Sequence, residues 1–444
     1  MIRQRTLKLI SFYFIKSISF YPALISILFT LFAILILHFE RQGLSTFLHK
    51  ELESIIITHN ETARTTLNAI VSGIISLTVF SFTMVMVVLS QTGSNFSPRL
   101  IPGLITYRSH QIIFGFYLGT IIYSLILLIN IESKDMGDIV PGTSILLSVV
   151  FVIISLGMFV YFIHSISQSI QIGNIMESVY RETLNALKDI SADKVTKEPD
   201  IEKWYNLENP ESGYLQDFDG DMLCGVAVKH DIMLKFIIPP GFYIDKGIPF
   251  LQINKSSNSD DLYQQIWKCF AFKEEEIIRV NYIYGFKHLS EIAQKALSPA
   301  INDPGTAARV LNYFTELFTE RMKLPDNDII VDQSGRPRII APHQSVEEMF
   351  SAYLSPIRNY GKGDLTVTKR LIEIMFNLGI LNKKENLRHS QQIYIFTSSV
   401  IEGAEKNITN SIDREILNQR IRLINSENLF EKHLKYLTEL RGNS

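Results

Sequence analysis

The chain has 444 residues, of which 46 % are hydrophobic and 20 % charged, with a net charge of −2 and two cysteines. A near-neutral balance lacks the basic footprint of a nucleic-acid binder. Two isolated thiols, Cys224 and Cys269, make neither a disulfide framework nor a cysteine-based zinc site, and a reducing compartment is the simpler expectation.

Taken in chain order, the first feature is a set of four apolar stretches at about 21–37, 67–89, 112–131 and 145–163. Each is near the roughly 20 residues that a helix needs to cross a bilayer core. The first continues through bulky Ile, Leu and Phe to His38 and lacks the small-residue cleavage site of a signal peptide, so it reads as a retained span. Residues 1–165 are therefore expected to form a transmembrane domain in contact with the lipid bilayer. Basic residues favour the cytoplasmic side. Arg3, Arg5, Lys8, Lys16, Arg99 and Arg108 fall on one side, against Arg41, Lys50, Arg64 and Lys134 on the other. The expected placement is a multi-pass inner-membrane protein with both termini cytoplasmic.

None of the four apolar cores contains Asp, Glu, Lys or Arg, which disfavours a proton-coupled transporter or pump but leaves a passive pore open. The second span carries Asn68, Ser72 and Ser76 at four-residue spacing, then Thr83 and Ser90, roughly along one face. Ser72, Ser76 and Thr83 are candidate pore-lining residues; the competing reading is hydrogen bonding between helices. Gly115 and Gly119 form a GxxxG pair in the third span, allowing close helix packing within one chain or between copies. Between the second and third spans, Ser97 and Pro98 read as the start of a short interfacial helix. Arg99 in its first turn is a candidate contact for a lipid phosphate or a carboxylate, or a plain interfacial anchor.

After a helical connector at 166–210, residues 211–257 alternate short apolar runs with Asp-Gly, Pro-Pro-Gly and Lys-Gly breaks, the rhythm of a small antiparallel β-domain. Asp217, Asp219 and Asp221 resemble a calcium loop, but Met222 and Val228 occupy its glycine and glutamate positions, and a hairpin turn explains the aspartates better. The segment also resembles, at fold level, the barrel-sandwich domain of biotinyl and lipoyl carriers. Lys255, however, runs into a helical SSNSDDLYQQIW rather than a returning strand.

Residues 258–444 read as a mostly helical domain. Phe286, Leu289, Ile292, Ala293 and Ala296 recur at helical spacing up to Pro299, and Asp303 with Pro304 opens a second helix with Ala307, Val310, Leu311, Phe314 and Phe318 as its inner stripe. Ser298, Asn302 and Asp303 at this corner either cap backbone or converge on a ligand or neighbouring subunit. Ser334-Gly335 suits a turn between two short strands, His343 reads as a surface residue, and the stretch from Asn386 to Leu440 as a charged amphipathic helical region. The chain lacks the Walker, G-x-G-x-x-G, G-x-S-x-G and HExxH motifs. No cofactor, metal or catalytic residue is assigned, and no enzyme activity is expected.

The block ALSPAINDPGTA, the FSPR at 96–99, and GYLQDFDGD ahead of PPGFYIDKG together resemble the predicted membrane proteins grouped as domain of unknown function family 2254. The resemblance covers almost the whole chain in the same order. It implies a bacterial inner-membrane protein with an N-terminal helical membrane part and a cytoplasmic remainder, and brings no activity. Where the family motif usually reads NDPFTA, Gly305 occupies the aromatic position. The expected architecture is an α+β membrane protein: a four-helix transmembrane region, a small β-barrel or sandwich-like unit, and a helical part. The functional expectations are an oligomeric channel or transport component with a cytoplasmic vestibule, or a membrane-anchored sensing or scaffolding protein that binds a cytoplasmic protein or ligand.

Overall fold

The computed structural model describes residues 19–42, 57, 59–95, 108–132, 140–169, 171–190, 199, 201–256, 259–272 and 276–438. Arg99, the proposed interfacial helix after Ser97, and the basic N-terminal residues lie outside this set. The chain divides into two units, 1–175 and 176–444.

The first unit contains four long helices: α1 (Phe20–Arg41), α2 (Asn60–Asn95), α3 (Arg108–Glu132) and α4 (Gly142–Ser169). Each is long and apolar enough to cross a membrane. A helix satisfies its backbone polar groups internally, which is what a lipid environment without hydrogen-bonding partners demands. α1 runs parallel to α3, as the ring contacts of Phe29 with Phe116 and Phe32 with Tyr123 show. α4 runs antiparallel to α3, with Tyr123 bonded to Ser144 near its start and Phe114 against Phe162 near its end. The result is an up-down bundle. On α3 the buried residues His110, Ile113, Tyr117, Thr120, Ser124 and Leu127 recur every three or four positions, the stripe of a helix facing a core. Large aliphatic side chains such as Leu31, Ile129, Ile153 and Val160 point outward and are more than half exposed, as a lipid-facing surface requires.

The second unit takes up α5 (Ile172–Lys188) from Met176 onward, and its buried Thr183 packs on Gly285; a Cβ at that glycine would sit only 1.7 Å from the Thr183 hydroxyl. Eight strands follow: β1 (Tyr205–Glu208), β2 (Gly213–Phe218), β3 (Leu234–Phe236), β4 (Tyr243–Ile244), β5 (Pro249–Ile253), β6 (Phe270–Phe272), β7 (Asn327–Val331) and β8 (Pro337–Pro342). They form a five-stranded sheet, β1-β5-β3-β8-β7, and a three-stranded sheet, β4-β2-β6. Pairing is antiparallel except between β3 and β8. No closed barrel forms among the described residues, so the carrier-domain likeness does not extend to a barrel. The larger sheet also recruits β7 and β8 from far downstream. Their hairpin turns at Ser334-Gly335 as expected, with Gly335 at φ +78°.

One expectation for this region is overturned. Residues 220–229 form a helix, α6 (Gly220–Lys229), not strand and turn. The Asp219 carboxylate accepts the Met222 amide at 3.0 Å, making it an N-cap, and Leu223, Val226 and Ala227 fall on one buried face. Asp219 and Asp221 therefore start a helix instead of closing a hairpin. α7 (Asp260–Trp267) follows, capped by Ser259, as the sequence after Lys255 suggests.

The helical remainder comprises α8 (Ile283–Ala296), α9 (Pro304–Lys323), α10 (Val346–Met349), a π turn at Phe350–Leu354, α11 (Ser355–Gly361), α12 (Leu365–Lys384), α13 (Ser390–Asn407) and α14 (Ser411–Ser426). Phe286, Phe314, Phe318 and Phe350 pack ring against ring at its centre. Residues 427–438, after α14, are irregular and not helical. It is tied down by buried Asn425 and Asn418, whose side chains bond the backbones of Leu434 and Leu437 in both directions.

Candidate functional site: the polar groups of the membrane bundle

The four-helix unit buries more polar chemistry than its hydropathy suggests. Glu40, one turn beyond the apolar core of the first span, is only 1 % exposed. Its Oε1 accepts both the Ser144 amide and the Ser144 hydroxyl at 2.9 Å, so the end of α1 caps the start of α4. A carboxylate is well placed there, against the positive end of the helix dipole. The Tyr123 hydroxyl donates to the Ser144 carbonyl at 3.1 Å. One turn further along α4, Ser148 lies 3.5 Å from Ser124.

Deeper in the bundle the polar groups are less well served. Tyr117, Ser81 and Ser155 are fully buried; the Tyr117 and Ser81 hydroxyls lie against each other, and that of Ser155 has no hydrogen-bond partner among the described residues. Ser155 falls between Phe151, which meets Phe116, and Phe162, which meets Phe114, and so sits level with Tyr117. Toward the other end, the rings of Phe114 and Phe162 form an apolar layer, beyond which buried His110 places Nε2 3.1 Å from the Ser165 hydroxyl. Gln111 beside it keeps a buried Oε1 without a partner among the described residues.

The candidate pore-lining residues lie elsewhere. Ser72, Ser76 and Thr83 are exposed on the outer side of α2, and the Ser76 and Thr83 hydroxyls donate to the carbonyls of Ser72 and Val79, each at 2.9 Å. Asn68, Ala69 and Ser90 share this face, which Val79 and Met86 interrupt. No helix among the described residues covers it: an added Cβ at Gly73 meets nothing within 4 Å. Gly115 and Gly119 behave in the opposite way. A Cβ at Gly115 would come within 2.8 Å of Ile25, and one at Gly119 within 2.7 Å of the Phe29 ring. The GxxxG pair is thus filled by α1 of its own chain.

In the 176–444 unit the corner residues act on the backbone. The Ser298 hydroxyl donates to the Lys295 carbonyl at 2.7 Å, and exposed Asn302 adopts φ +48°, a left-handed conformation that Asn tolerates. Asp303 accepts the Thr306 amide at 3.0 Å and the Thr306 hydroxyl at 2.6 Å, bonds that hold its carboxyl below the usual range. Asp303→Ala is expected to cost about 0.5–2 kcal/mol. Chemical unfolding at neutral pH should show that loss. Because the carboxyl is depressed, the contribution is complete above the unfolded-state pKa and disappears as pH falls through the folded value. A variant as stable as the parent at pH 7 would refute the capping role.

A cleft of about 200 Å³ in the same unit is lined in part by Asn281, Tyr282, Asp328 and His343. His343 is mostly buried here, 3.2 Å from Asp328, and is not the surface residue its turn position suggests. The groups that sequence reasoning missed are Glu40, Glu276 with His288, and fully buried Arg321, which donates to the carbonyls of Leu324 and Gln344. Only the Glu40 position carried a local signal, an acid one turn past an apolar run. No group of three or more His, Cys, Asp or Glu among the described residues is arranged to hold a metal ion.

The relatives that the chain resembles are uncharacterized proteins. An uncharacterized protein of Mycobacterium bovis is 25 % identical over 354 residues, covering 76 % of this chain and 67 % of its own. Uncharacterized proteins of two Mycobacterium tuberculosis strains match to the same extent. No solved structure matches the chain. The model of the family described as predicted membrane protein (DUF2254) matches residues 15–377, and the chain, with its four apolar helices followed by a mixed α and β unit, belongs to that family.

Proposed function

We propose that copies of this chain assemble in the membrane around an axis lined by the outer face of α2, making the protein an oligomeric channel or transport component. The observation that carries this reading is the exposure of Ser72, Ser76 and Thr83 on a face that no helix among the described residues covers. Elsewhere the bundle presents large aliphatic side chains to lipid. Small hydroxyl-bearing side chains keep water from being expelled along a charge-free path. Four helices are too few to surround a wide path within one chain, so the path needs several copies.

The test combines symmetry with accessibility. Particles of the purified protein in lipid nanodiscs should show rotational symmetry, and Ser76→Cys, in a Cys224→Ser background, should react with aqueous thiol reagents. Ser76→Leu should lower conductance while leaving the assembly intact. Monomeric particles, or a Ser76→Cys variant inert to such reagents, would sink the proposal. The cleft beside His343 and Asp328 supports the second reading, a membrane-anchored sensing or scaffolding protein. That account stands if the particles are monomeric.

A further inference from the structure

We infer that α14, with the adjoining parts of α12 and α13, is a binding site for an extended, leucine-bearing segment of a separate protein, and that residues 429–438 occupy it in cis as a displaceable strap. The site lies wholly within the 176–444 unit and is independent of the channel reading.

The strap is held by side chains that grip its main chain. Among the described residues, no main-chain group of 429–438 bonds another main-chain group. Instead, Asn425 Oδ1 accepts the Leu434 amide at 2.8 Å while its Nδ2 donates to the Leu434 carbonyl at 3.0 Å. Asn418 repeats the pair on Leu437, at 2.8 and 3.0 Å. Next to it, Glu405 accepts the Thr438 amide at 3.1 Å and Arg414 donates to the Thr438 carbonyl at 2.8 Å. Ser390 donates to the Leu429 carbonyl at 3.1 Å. A ligand that presents an N–H and a C=O side by side, repeated along its length, is a polypeptide main chain.

The spacing supports the same reading. Asn418 and Asn425 are two turns apart on α14, about 10.5 Å, and Leu434 and Leu437 are three residues apart, about 10 Å in an extended chain. The two repeats therefore match, with the strap antiparallel to α14. Both asparagines are buried beneath it.

Sequence demands on the occupant are few. Leu429, Leu434 and Leu437 are buried, and Phe430 meets the Tyr394 ring. A Cβ at Gly379 of α12 would come within 2.9 Å of Leu429, so that glycine makes room for the leucine. Glu431, Lys432, His433, Lys435 and Tyr436 are exposed, and they leave the sequence between the leucines free to vary. A Leu-x-x-Leu segment with an apolar residue five positions ahead presents the same groups. The strap leaves α14 through exposed Ser426, Glu427 and Asn428, the last at φ +49°. With neither helix nor strand of its own, it belongs to the low-stability end of the unit, where local opening exposes a site without unfolding the rest.

The experiment uses the full chain in nanodiscs and a fluorescein-labelled peptide, NLFEKHLKYLT, which is residues 428–438, read by fluorescence polarisation. In the wild type the strap competes at an effective concentration on the order of millimolar, so the peptide should bind weakly. Leu434→Ala with Leu437→Ala loosens the strap and should tighten peptide binding by about tenfold or more. Adding Asn418→Ala and Asn425→Ala should reverse that gain. A folded double-leucine variant that binds no better than wild type, or binding that survives loss of both asparagines, overturns the inference. If that variant does not fold, hydrogen exchange on the wild type decides. The Leu434 and Leu437 amides should exchange about tenfold or more faster than those of Leu417 and Ile421 in α14. Equal rates would make the strap a fixed part of the core and overturn the inference. An oligomer that the double-leucine variant loses would identify the occupant as the strap of a second copy, overturning the assignment to a separate protein.

Discussion

Glu276→Gln is expected to destabilise the 176–444 unit by about 1–3 kcal/mol, the cost of breaking charge-assisted hydrogen bonds to a buried carboxylate. Glu276 Oε2 lies 3.0 Å from His288 Nε2, with both side chains under 10 % exposed, and Oε1 lies 2.7 Å from Lys287 Nζ. A glutamine keeps one acceptor oxygen but presents an amide N–H to the second donor, leaving a buried group facing a like partner. Burial by itself pushes the Glu276 carboxyl up, and the bonds from His288 and Lys287 outweigh it, holding the group down at about 2. A depressed carboxylate contributes stability in full above its ordinary value near 4.5, and that contribution is lost as pH falls from there toward 2. The difference between wild type and variant should therefore be large at pH 7 and shrink by pH 3. Both tryptophans, Trp204 and Trp267, lie in this unit, so fluorescence-monitored urea unfolding reads it directly. A difference below about 1 kcal/mol at pH 7, or one independent of pH, would contradict the pairing account.

This pair was invisible in the sequence, and the reason is general. Glu276 and His288 are 12 positions apart across a turn, and nothing in their spacing marks them as partners. The same holds for Glu40 and Ser144, which are 104 positions apart. Spans and caps, by contrast, are legible because their causes are local. A membrane helix must be apolar along its own length, and Asp303 with Pro304 satisfies its own helix start. Hydropathy nevertheless clips the ends: the first span continues to Arg41 and the second begins at Asn60, since polar residues at a helix terminus still take helical backbone. The error at 220–229 arose because a short apolar run does not distinguish strand from helix by periodicity. The Asp219 cap was the signal that decides it. The parallel pairing of β3 with β8, across some hundred residues of chain, has no local trace at all.

Two glycines separate packing within a chain from packing between copies, and their substitution carries the largest contrast expected in the membrane unit. Gly119→Ile places a branched side chain where the first carbon already lies 2.7 Å from the Phe29 ring. Neither α1 nor α3 can yield without losing the surrounding contacts of Phe29 with Phe116 and Phe151, so the cost should exceed about 3 kcal/mol, at or beyond the upper end for overpacking. Gly73→Ile meets open space in a single chain and replaces a poor helix former by a better one, so the folded chain should tolerate it within about 0.5 kcal/mol. If the outer face of α2 is where copies meet, Gly73→Ile should instead shift the assembly toward monomer on a sizing column, with the bundle's helical content intact. Gly119→Ile should lose helical content and expression together. The opposite pattern, a folded Gly119→Ile protein and an unaltered Gly73→Ile oligomer, would place the intermolecular contact away from this face of α2 and remove the support for an axis lined by Ser72, Ser76 and Thr83.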